Sequence, residues 1–319
     1  MKNLLLSFCL LYSQHLFAQQ NKISNLFTSD ITNFWIAYDS VILTEDTIKQ
    51  VKYIEDLYFK KATLGLLVFT QSIHLTAQEI REKILAYPKF WRSIKPYTLQ
   101  INKFSKSITV VCNKFKRIYS SFFQPSFYFV IGALKKGGKA QNGIVAVGIE
   151  LAASDYKVNS SELPNSFRKR MQLNRNCSFI IAHECVHIQQ KQIQDSAKIL
   201  LSFCLLEGAA DFIAEIITQH EIPAPYIRYG KLHETKIWND FKKDMYATKF
   251  NKWLWNSRDS SILIPDLGYF IGYAICKSYF ENSINKQKAI QEIIDIDYSS
   301  REKVIKFFSK SKYEGKIKR

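Results

Sequence analysis

Two apolar segments of this chain carry titratable side chains that a folded protein cannot bury without partners. The first contains His183-Glu184-Cys185-Val186-His187, and the second contains Glu207 and Asp211. Residues four positions apart project from one face of an α-helix, so each cluster would lie on one side of its own helix. Gly208-Ala209-Ala210 would let the second helix approach the first closely. The sequence therefore predicts two packed helices with a polar site between them.

The spacing of the two histidines is typical of a metal site. His183 and His187, one helical turn apart, could reach the same tetrahedral zinc ion. Glu184 would reach a zinc-bound water rather than the metal, and it could act as general base by accepting the proton of that water. Glu207 would be the third ligand, with Asp211 fixing the tautomer of a ligand histidine. We expect one Zn²⁺ per chain.

Two alternatives remain open at this site. Asp211 or Glu215, which follow Glu207 on the same predicted helix, could replace it as the third ligand. The histidines and carboxylates could also form a hydrogen-bonded core cluster that holds no metal.

H-E-x-x-H followed after nineteen residues by E-x-x-x-D resembles the motif of the gluzincin metallopeptidases, such as thermolysin. The resemblance covers residues 183–211. It implies two histidine ligands, a glutamate ligand, a general base and an orienting aspartate at His183, His187, Glu207, Glu184 and Asp211. It also implies a zincin-like fold and a zinc-dependent hydrolase that cleaves peptide bonds in peptide or protein substrates.

Three looser patterns are similar to bacterial predicted zinc-dependent proteases of unknown function, a group related to gliding-motility lipoprotein B. These patterns are Tyr87-Pro88-Lys89-Phe90-Trp91, the glycine-rich turn before residue 144, and Gly268-Tyr269-Phe270-Ile271-Gly272-Tyr273. The similarity would extend over most of the mature chain. It implies a fold and an activity, but no substrate.

A gluzincin also stabilises the oxyanion of its reaction with a tyrosine or histidine well downstream of the glutamate ligand. Tyr269 and Tyr273 fit this position and would share one helix face, so we expect one of them to be catalytic. Tyr226, Tyr229 and His233 are nearer alternatives. Any of these tyrosines could instead be a packed core residue.

In the segment from 144 to 151, large apolar residues alternate with small or polar ones, and this pattern predicts a strand. Gluzincins bind extended peptide by main-chain pairing to an edge strand above the zinc. The resemblance therefore implies substrate binding by Asn142, Gly143, Ile144, Val145 and Ala146. An ordinary internal strand is the alternative interpretation.

The remaining patterns place strands before helices. Segments 107–113 and 126–134 are rich in β-branched and aromatic residues and predict two more strands. Helices are predicted after residue 174, after 195 and after Pro265, and capping boxes are predicted at Thr76–Glu79 and Ser299–Glu302. The expected fold is α+β and zincin-like, with one domain over residues 19–319. Its mixed sheet and active-site helix would occupy about 19–194, packed on a mainly helical lobe of about 195–319.

Residues 1–18 have the order of a secretory signal peptide. Lys2 supplies a positive charge, Leu4–Tyr12 is a short apolar run, and Leu16-Phe17-Ala18 has the form of a cleavage site. We therefore expect an exported protein, periplasmic or secreted, that begins near Gln19 and has no membrane-spanning segment. Lipidation at Cys9 and a simple N-terminal core helix are the alternatives.

The net charge of +17 favours attraction to anionic envelope surfaces or acidic substrates, unless it is simply a solvated basic face. No nucleic-acid-binding motif accompanies the charge, so we expect no nucleic-acid partner. The five cysteines after residue 18 lie in apolar surroundings and predict buried small side chains. A zincin-fold envelope protein that binds or assembles partners with little turnover is the alternative function, although it would have no need of Glu184.

Overall fold

A computed structural model describes residues 25–174, 177–222, 224–256 and 261–316. The predicted signal peptide and Cys9 lie outside these residues. Four short strands form one mixed sheet in the order β1-β2-β4-β3. The strands are β1 (Leu26–Phe27), β2 (Ser126–Val130), β3 (Gly138–Gln141) and β4 (Ile144–Gly148). β2 runs parallel to both β1 and β4, whereas β3 is antiparallel to β4, so β3 forms one edge of the sheet.

Helices both precede and follow the central strands. Before β2 the chain forms α1 (Ser29–Val41), α2 (Thr47–Leu57), α3 (Leu64–Ile73), α4 (Ala77–Ala86), α5 (Pro88–Thr98) and α6 (Ile101–Ile118). After β4 it forms α7 (Ile149–Ala152), α8 (Asn165–Asn174), α9 (Cys177–Gln189), α10 (Leu200–Thr218), α11 (Pro225–Asp244), α12 (Leu267–Asn282), α13 (Lys286–Ile294) and α14 (Arg301–Ser311). The α+β class is confirmed, but the predicted order of strands before helices is wrong.

The largest error of the sequence analysis is the strand predicted over 107–113, which lies inside α6. The buried positions of α6 are Phe104, Ile108, Val111, Cys112 and Phe115, which recur at intervals of three and four residues. This is the period of a helix with one buried face, and it outweighs the β-branched composition of the segment.

Two other predicted strands are shorter than expected. The segment predicted over 126–134 ends as a strand at Val130, and the following backbone turns through positive φ at Ala133 and Leu134. The segment predicted over 144–151 ends as a strand at Gly148, and α7 follows it directly. Both strands end at the same level of the sheet, because β2 and β4 are parallel neighbours with Val130 opposite Gly148.

Helix starts are predicted more accurately than strands. The capping box of α4 is present, with Thr76 and Glu79 each accepting the other's backbone N–H. At α14 the N-cap is Ser300, whose side chain accepts the Lys303 N–H, so the capping box predicted at Ser299–Glu302 is wrong. No helix of the described residues is long and apolar enough to cross a membrane.

Close packing of α10 on α12 forms the most extensive helix contact of the described chain. A Cβ atom at Gly208 of α10 would lie 2.1 Å from the Gly272 carbonyl carbon of α12. Gly208 therefore allows close approach to α12, whereas the sequence pattern predicted close approach to the histidine helix α9. Four of the five described cysteines are buried and all five are free thiols, as small core side chains would be.

Glu150 of α7 is a fully buried carboxylate that shapes the chain before β3. Its Oε1 accepts the backbone N–H groups of Gly132 and Leu134, each at 2.9 Å. These bonds span the turn in which Ala133 and Leu134 adopt φ values of 52° and 64°. Such a left-handed backbone costs about 1 kcal/mol per non-glycine residue and needs support of this kind. Burial raises the pKa of Glu150 to about 7, despite these hydrogen bonds.

Glu150→Gln should gain stability relative to the wild type as the pH rises. A pKa raised from 4.5 to about 7 means that the native wild type binds more protons than the unfolded chain in this window. Its free energy of unfolding therefore falls by about 2–3 kcal/mol between pH 5 and pH 8 through this group, and the glutamine variant avoids that loss. Urea unfolding of both proteins at the two pH values tests this, since other titrations cancel in the difference. A difference that does not change with pH would contradict it.

Candidate metal centre

The helices α9 and α10 bring His183, His187 and Glu207 into one cluster that could hold a metal ion. The two Nε2 atoms lie 3.0 Å apart. Oε2 of Glu207 lies 3.5 Å from Nε2 of His183 and 3.3 Å from Nε2 of His187. Ligands placed about 2.0–2.1 Å from a tetrahedral zinc are separated by similar distances, so the three atoms fit three corners of such a site.

The outer nitrogen of each imidazole is already engaged. Nδ1 of His183 lies 2.9 Å from Oδ1 of Asp211, and Nδ1 of His187 lies 2.7 Å from Oε1 of Gln190. Both partners are acceptors, so each Nδ1 carries a proton and, in the neutral rings, each Nε2 lone pair points toward the other. Two facing lone pairs beside a carboxylate need a positive charge between them.

The pKa shifts of His183 and Glu207 also favour a positive charge at the cluster. Burial alone would lower the pKa of His183, but hydrogen bonds with Asp211 and Glu207 raise it to about 10. Burial would likewise raise the pKa of Glu207, and His187 and His183 hold it well below its usual range. A proton can supply the missing positive charge in the metal-free protein. A divalent ion would replace that proton, so metal binding would release it.

Gln190 was not singled out by the sequence analysis. Its Nε2 donates to the backbone carbonyl of Leu206 at 2.8 Å, which orients the amide so that Oε1 faces His187. It thereby connects α9 to the turn of α10 that carries Glu207. Its position three residues after His187 was the only available signal, because the acceptor on α10 is remote in sequence.

Asp211 binds two groups at once. Oδ1 faces Nδ1 of His183, and Oδ2 accepts the hydroxyl of Tyr226 at 2.9 Å. Asp211 is 1% exposed, so this pair of contacts fixes its carboxylate with no access to solvent. The hydroxyl of Tyr226 is committed to Asp211, and burial raises its pKa well above the usual value.

Residues 163–300 match a family model described as "Predicted Zn-dependent protease (DUF2268)". This part of the chain is similar to predicted zinc-dependent proteases. The match spans α8 to α13 and includes every residue of the metal cluster, while the sheet and helices α1 to α7 lie outside it. No curated protein and no solved structure matches the chain.

Glu184 lies at the wall of a cavity of about 880 Å³, together with His183, His187 and Glu207. It is 7% exposed. A Cβ atom at Gly138 of β3 would lie 2.5 Å from Oε1 of Glu184, so the backbone of β3 passes directly against this carboxylate. Gly138 is thus a second residue that the sequence analysis missed, since it treated Gly137-Gly138 only as part of a loop.

Of the two tyrosines expected at the site, only Tyr269 is among the residues that line the cavity of the described chain. Tyr269 lines the cavity with His183 and Glu184. Tyr273 is fully buried and donates its hydroxyl to Oε1 of Glu215 at 2.9 Å, outside the residues that line the cavity. The structure therefore does not bring Tyr273 to the cavity, which leaves Tyr269 as the nearer of the two predicted residues. α12 packs along α10, so residues one turn apart on α12 meet different turns of α10, and Tyr273 meets Glu215 two turns beyond Glu207.

Glu215, predicted as an alternative third ligand, accepts the Tyr273 hydroxyl and lies outside the ligand cluster. Tyr229 and His233 pack against each other, with ring centroids 4.2 Å apart, and neither lines the cavity. Among the tyrosine and histidine candidates for an oxyanion donor, Tyr269 is the one that reaches the cavity of the described chain with a hydroxyl not donated to Asp211 or Glu215.

The expected substrate strand needs a correction. β4 is paired with β2 on one side and β3 on the other, so Ile144, Val145 and Ala146 have no free edge. Asn142 and Gly143 do line the cavity, as the turn between β3 and β4. The strand that lines the cavity is β3, through Lys139, Ala140 and Gln141. A two-residue Asn-Gly turn with φ of 50° and 75° is a hairpin signal, and it implied a strand on its N-terminal side.

Proposed function

We propose that this chain is a zinc-dependent peptidase of the gluzincin type. His183, His187 and Glu207 would hold the zinc, and Glu184 would act as general base. The observation that carries the proposal is the convergence of three ligand atoms within 3.5 Å of one another, with both Nδ1 atoms already engaged by acceptors. Such a part-buried donor set at the wall of a cavity suits zinc.

When bound, zinc would supply Lewis-acid activation of water and of the scissile carbonyl. The chain's own residues would handle the protons. Glu184 is placed at the cavity wall, where its carboxylate can take the proton of an attacking water and return it to the leaving amine. Tyr269 can donate its hydroxyl to the oxyanion. Gln190 and Asp211 would hold the two imidazoles in the tautomer that binds metal.

The outer side of β3 would bind the substrate backbone. β3 has no partner strand on that side among the described residues, and it borders the cavity beside Glu184. An extended peptide could add to this edge by main-chain hydrogen bonds and place its scissile bond over Glu184. A zincin-like fold is part of the proposal, supported by the active-site helix α9 lying against a mixed sheet with an antiparallel edge strand.

Export and a relation to gliding-motility lipoprotein B are proposals that rest on sequence patterns alone. Lys2, the apolar run at 4–12 and Ala18 support export to the periplasm or the medium. N-terminal sequencing of the protein from envelope or medium should find a start near Gln19. An intact Met1 would count against export.

The purified mature protein should contain one zinc ion per chain. Asp211→Asn should lower its zinc affinity by about 10–100-fold, because the negative charge that makes the His183 imidazole a stronger ligand is lost. Glu207→Ala should weaken zinc binding further, since it removes a ligand. Glu215→Gln is the matched control: it changes another carboxylate of α10, which accepts the hydroxyl of Tyr273, and it should leave the zinc content unchanged. Elemental analysis and competition with a chelator measure both quantities. Protein that takes up no zinc when zinc is supplied would contradict the proposal.

A further inference from the structure

Lysine side chains dominate the charged lining of the cavity over the metal centre. Lys136, Lys139, Lys191 and Lys198 line it, and the acidic residues that line it are Glu184 and Glu207. The proposed function uses both carboxylates, one as general base and one as ligand. With zinc bound, the cavity would therefore present a surplus of positive charge to whatever enters it.

Three of these four lysines, including Lys191, lack an ion-pair or hydrogen-bond partner among the described residues. Lys198 is paired with Asp195 at 2.6 Å. No ion pair or hydrogen bond between described residues engages the ammonium group of Lys136 or Lys139. Lys139 is half-buried on the edge strand β3. Burial lowers its pKa, and the nearby charge of Lys136 lowers it further, while Glu184 and Glu207 oppose both effects. Two adjacent unpaired cations do not stabilise a fold, so this arrangement suits a ligand.

The backbone that carries these lysines is held at several points. Glu150 binds the N–H groups of Gly132 and Leu134, and the Gly148 N–H donates to the Gly137 carbonyl at 2.8 Å. β3 then pairs with β4 from Gly138 to Gln141. Lys136 and Lys139 are thus attached to a fixed segment beside Glu184, which reduces the entropy lost when they bind a ligand.

We infer that the cavity selects peptides that carry a carboxylate close to the scissile bond, with Lys136 and Lys139 as the residues that determine this specificity. The inference rests on the proposed peptidase function. The carboxylate could belong to an aspartate or glutamate side chain, or to the C-terminus of the peptide. An extended peptide on the edge of β3 would pass beside both ammonium groups, and each charge-assisted hydrogen bond would favour an anionic substrate.

The test uses zinc-loaded protein and a panel of fluorogenic peptides that share one neutral sequence. Glutamate is placed at each position in turn and compared with glutamine, and every peptide is made with a free and an amidated C-terminus. For the preferred position we expect kcat/KM to be about tenfold higher with glutamate than with glutamine, which is the effect of about one charge-assisted hydrogen bond. If the C-terminal carboxylate is the recognised group, amidation should cause the loss instead. The preference should weaken at high salt.

The lysine variants identify the cause. In Lys136→Gln/Lys139→Gln the ratio of kcat/KM between the anionic and the neutral peptide should fall to about one. Lys139→Glu should favour a lysine-containing peptide. Lys243→Gln removes the same charge from α11, where Lys243 is paired with Asp240, and should keep the wild-type ratio. Unchanged zinc content and circular dichroism would show that the variants are folded.

Binding separates this inference from the proposed function. Fluorescence anisotropy of the same peptides on the zinc-loaded Glu184→Gln protein measures selection without turnover. Tighter binding of the anionic peptide that is lost in the double lysine variant supports the inference, even if no peptide is hydrolysed and the peptidase proposal falls. Equal binding and equal hydrolysis of the anionic and neutral peptides would overturn the inference and leave the peptidase proposal intact.

Discussion

Glu184→Gln should retain its zinc and lose peptide hydrolysis by about 10²–10⁴-fold in kcat, the usual contribution of a general base. Glutamine keeps the shape of the side chain and its contact with Gly138. It cannot accept a proton from water at neutral pH. His183, His187 and Glu207 are untouched, so the metal-binding geometry should persist. Zinc analysis and steady-state kinetics on the same preparation measure the two properties separately.

Two comparisons make the result specific. Glu215→Gln is an isosteric change of the same type at a carboxylate outside the cavity, and it should leave kcat within about twofold of the wild type. Glu207→Ala should lose zinc first and activity as a consequence, and added zinc should restore part of that activity. Glu184→Gln should not respond to added zinc.

The same variant distinguishes an enzyme from a binding protein of the cell envelope. If hydrolysis is lost and the cellular phenotype is lost with it, turnover is the function. If hydrolysis is lost while the phenotype persists, the alternative of an envelope binding or assembly protein gains support. Hydrolysis retained in Glu184→Gln and in Glu207→Ala would mean that the site has been misassigned.

The metal cluster was predictable because its determinants are local. His183 and His187 share a helix face by spacing alone, and Glu207 with Asp211 does the same on the next helix. Helix period fixes these relations before any tertiary contact forms. The sequence did not fix that the two helix faces meet. Burying titratable groups without partners costs free energy, so an arrangement in which the two faces contact each other was favoured.

The polar contacts around the cluster were not predictable in the same way. Gln190 orients His187 because its amide is fixed by the Leu206 carbonyl on another helix, and no local pattern records that bond. Tyr273 was misplaced for a related reason. Its spacing from Tyr269 was interpreted correctly, but the packing of α12 on α10 decides which turn each tyrosine meets.

Strands were harder to predict than helices, because β3 has only four residues and includes Gly138, Lys139 and Gln141. Such a composition has little β-propensity, so its place in the sheet comes from pairing with β4 across the Asn142-Gly143 turn. Whether a strand is internal or at an edge depends on the whole topology. For that reason the strand predicted to bind substrate was β4, which is one strand away from the edge that borders the cavity.

Gly272→Ala should destabilise the protein by about 3 kcal/mol or more, the upper end of the cost of overpacking, because the clash is with backbone atoms. A Cβ atom at Gly272 would lie 1.7 Å from the carbonyl oxygen of Cys204 and 3.1 Å from the Cα of Gly208. Both neighbours are backbone atoms of α10, which no rotamer change can move aside. α10 and α12 would have to separate, and Glu207, adjacent to Gly208, would move with α10.

Gly268→Ala is the matched control for this prediction, since it makes the same substitution one turn earlier on α12. The atoms nearest to its added Cβ are Cδ2 of Leu254 at 2.7 Å and Sγ of Cys204 at 2.9 Å, which are ends of side chains. These can shift, so we expect a cost of about 1–2 kcal/mol. Alanine favours the helix by about 1 kcal/mol over glycine at both positions, and this gain cancels in the comparison.

Denaturant unfolding in the presence of a chelator measures both costs without a contribution from bound zinc. Zinc affinity should fall in Gly272→Ala and hold in Gly268→Ala. Equal destabilisation by the two substitutions would show that the backbone contact between Gly272 and Cys204 does not set the distance between the helices.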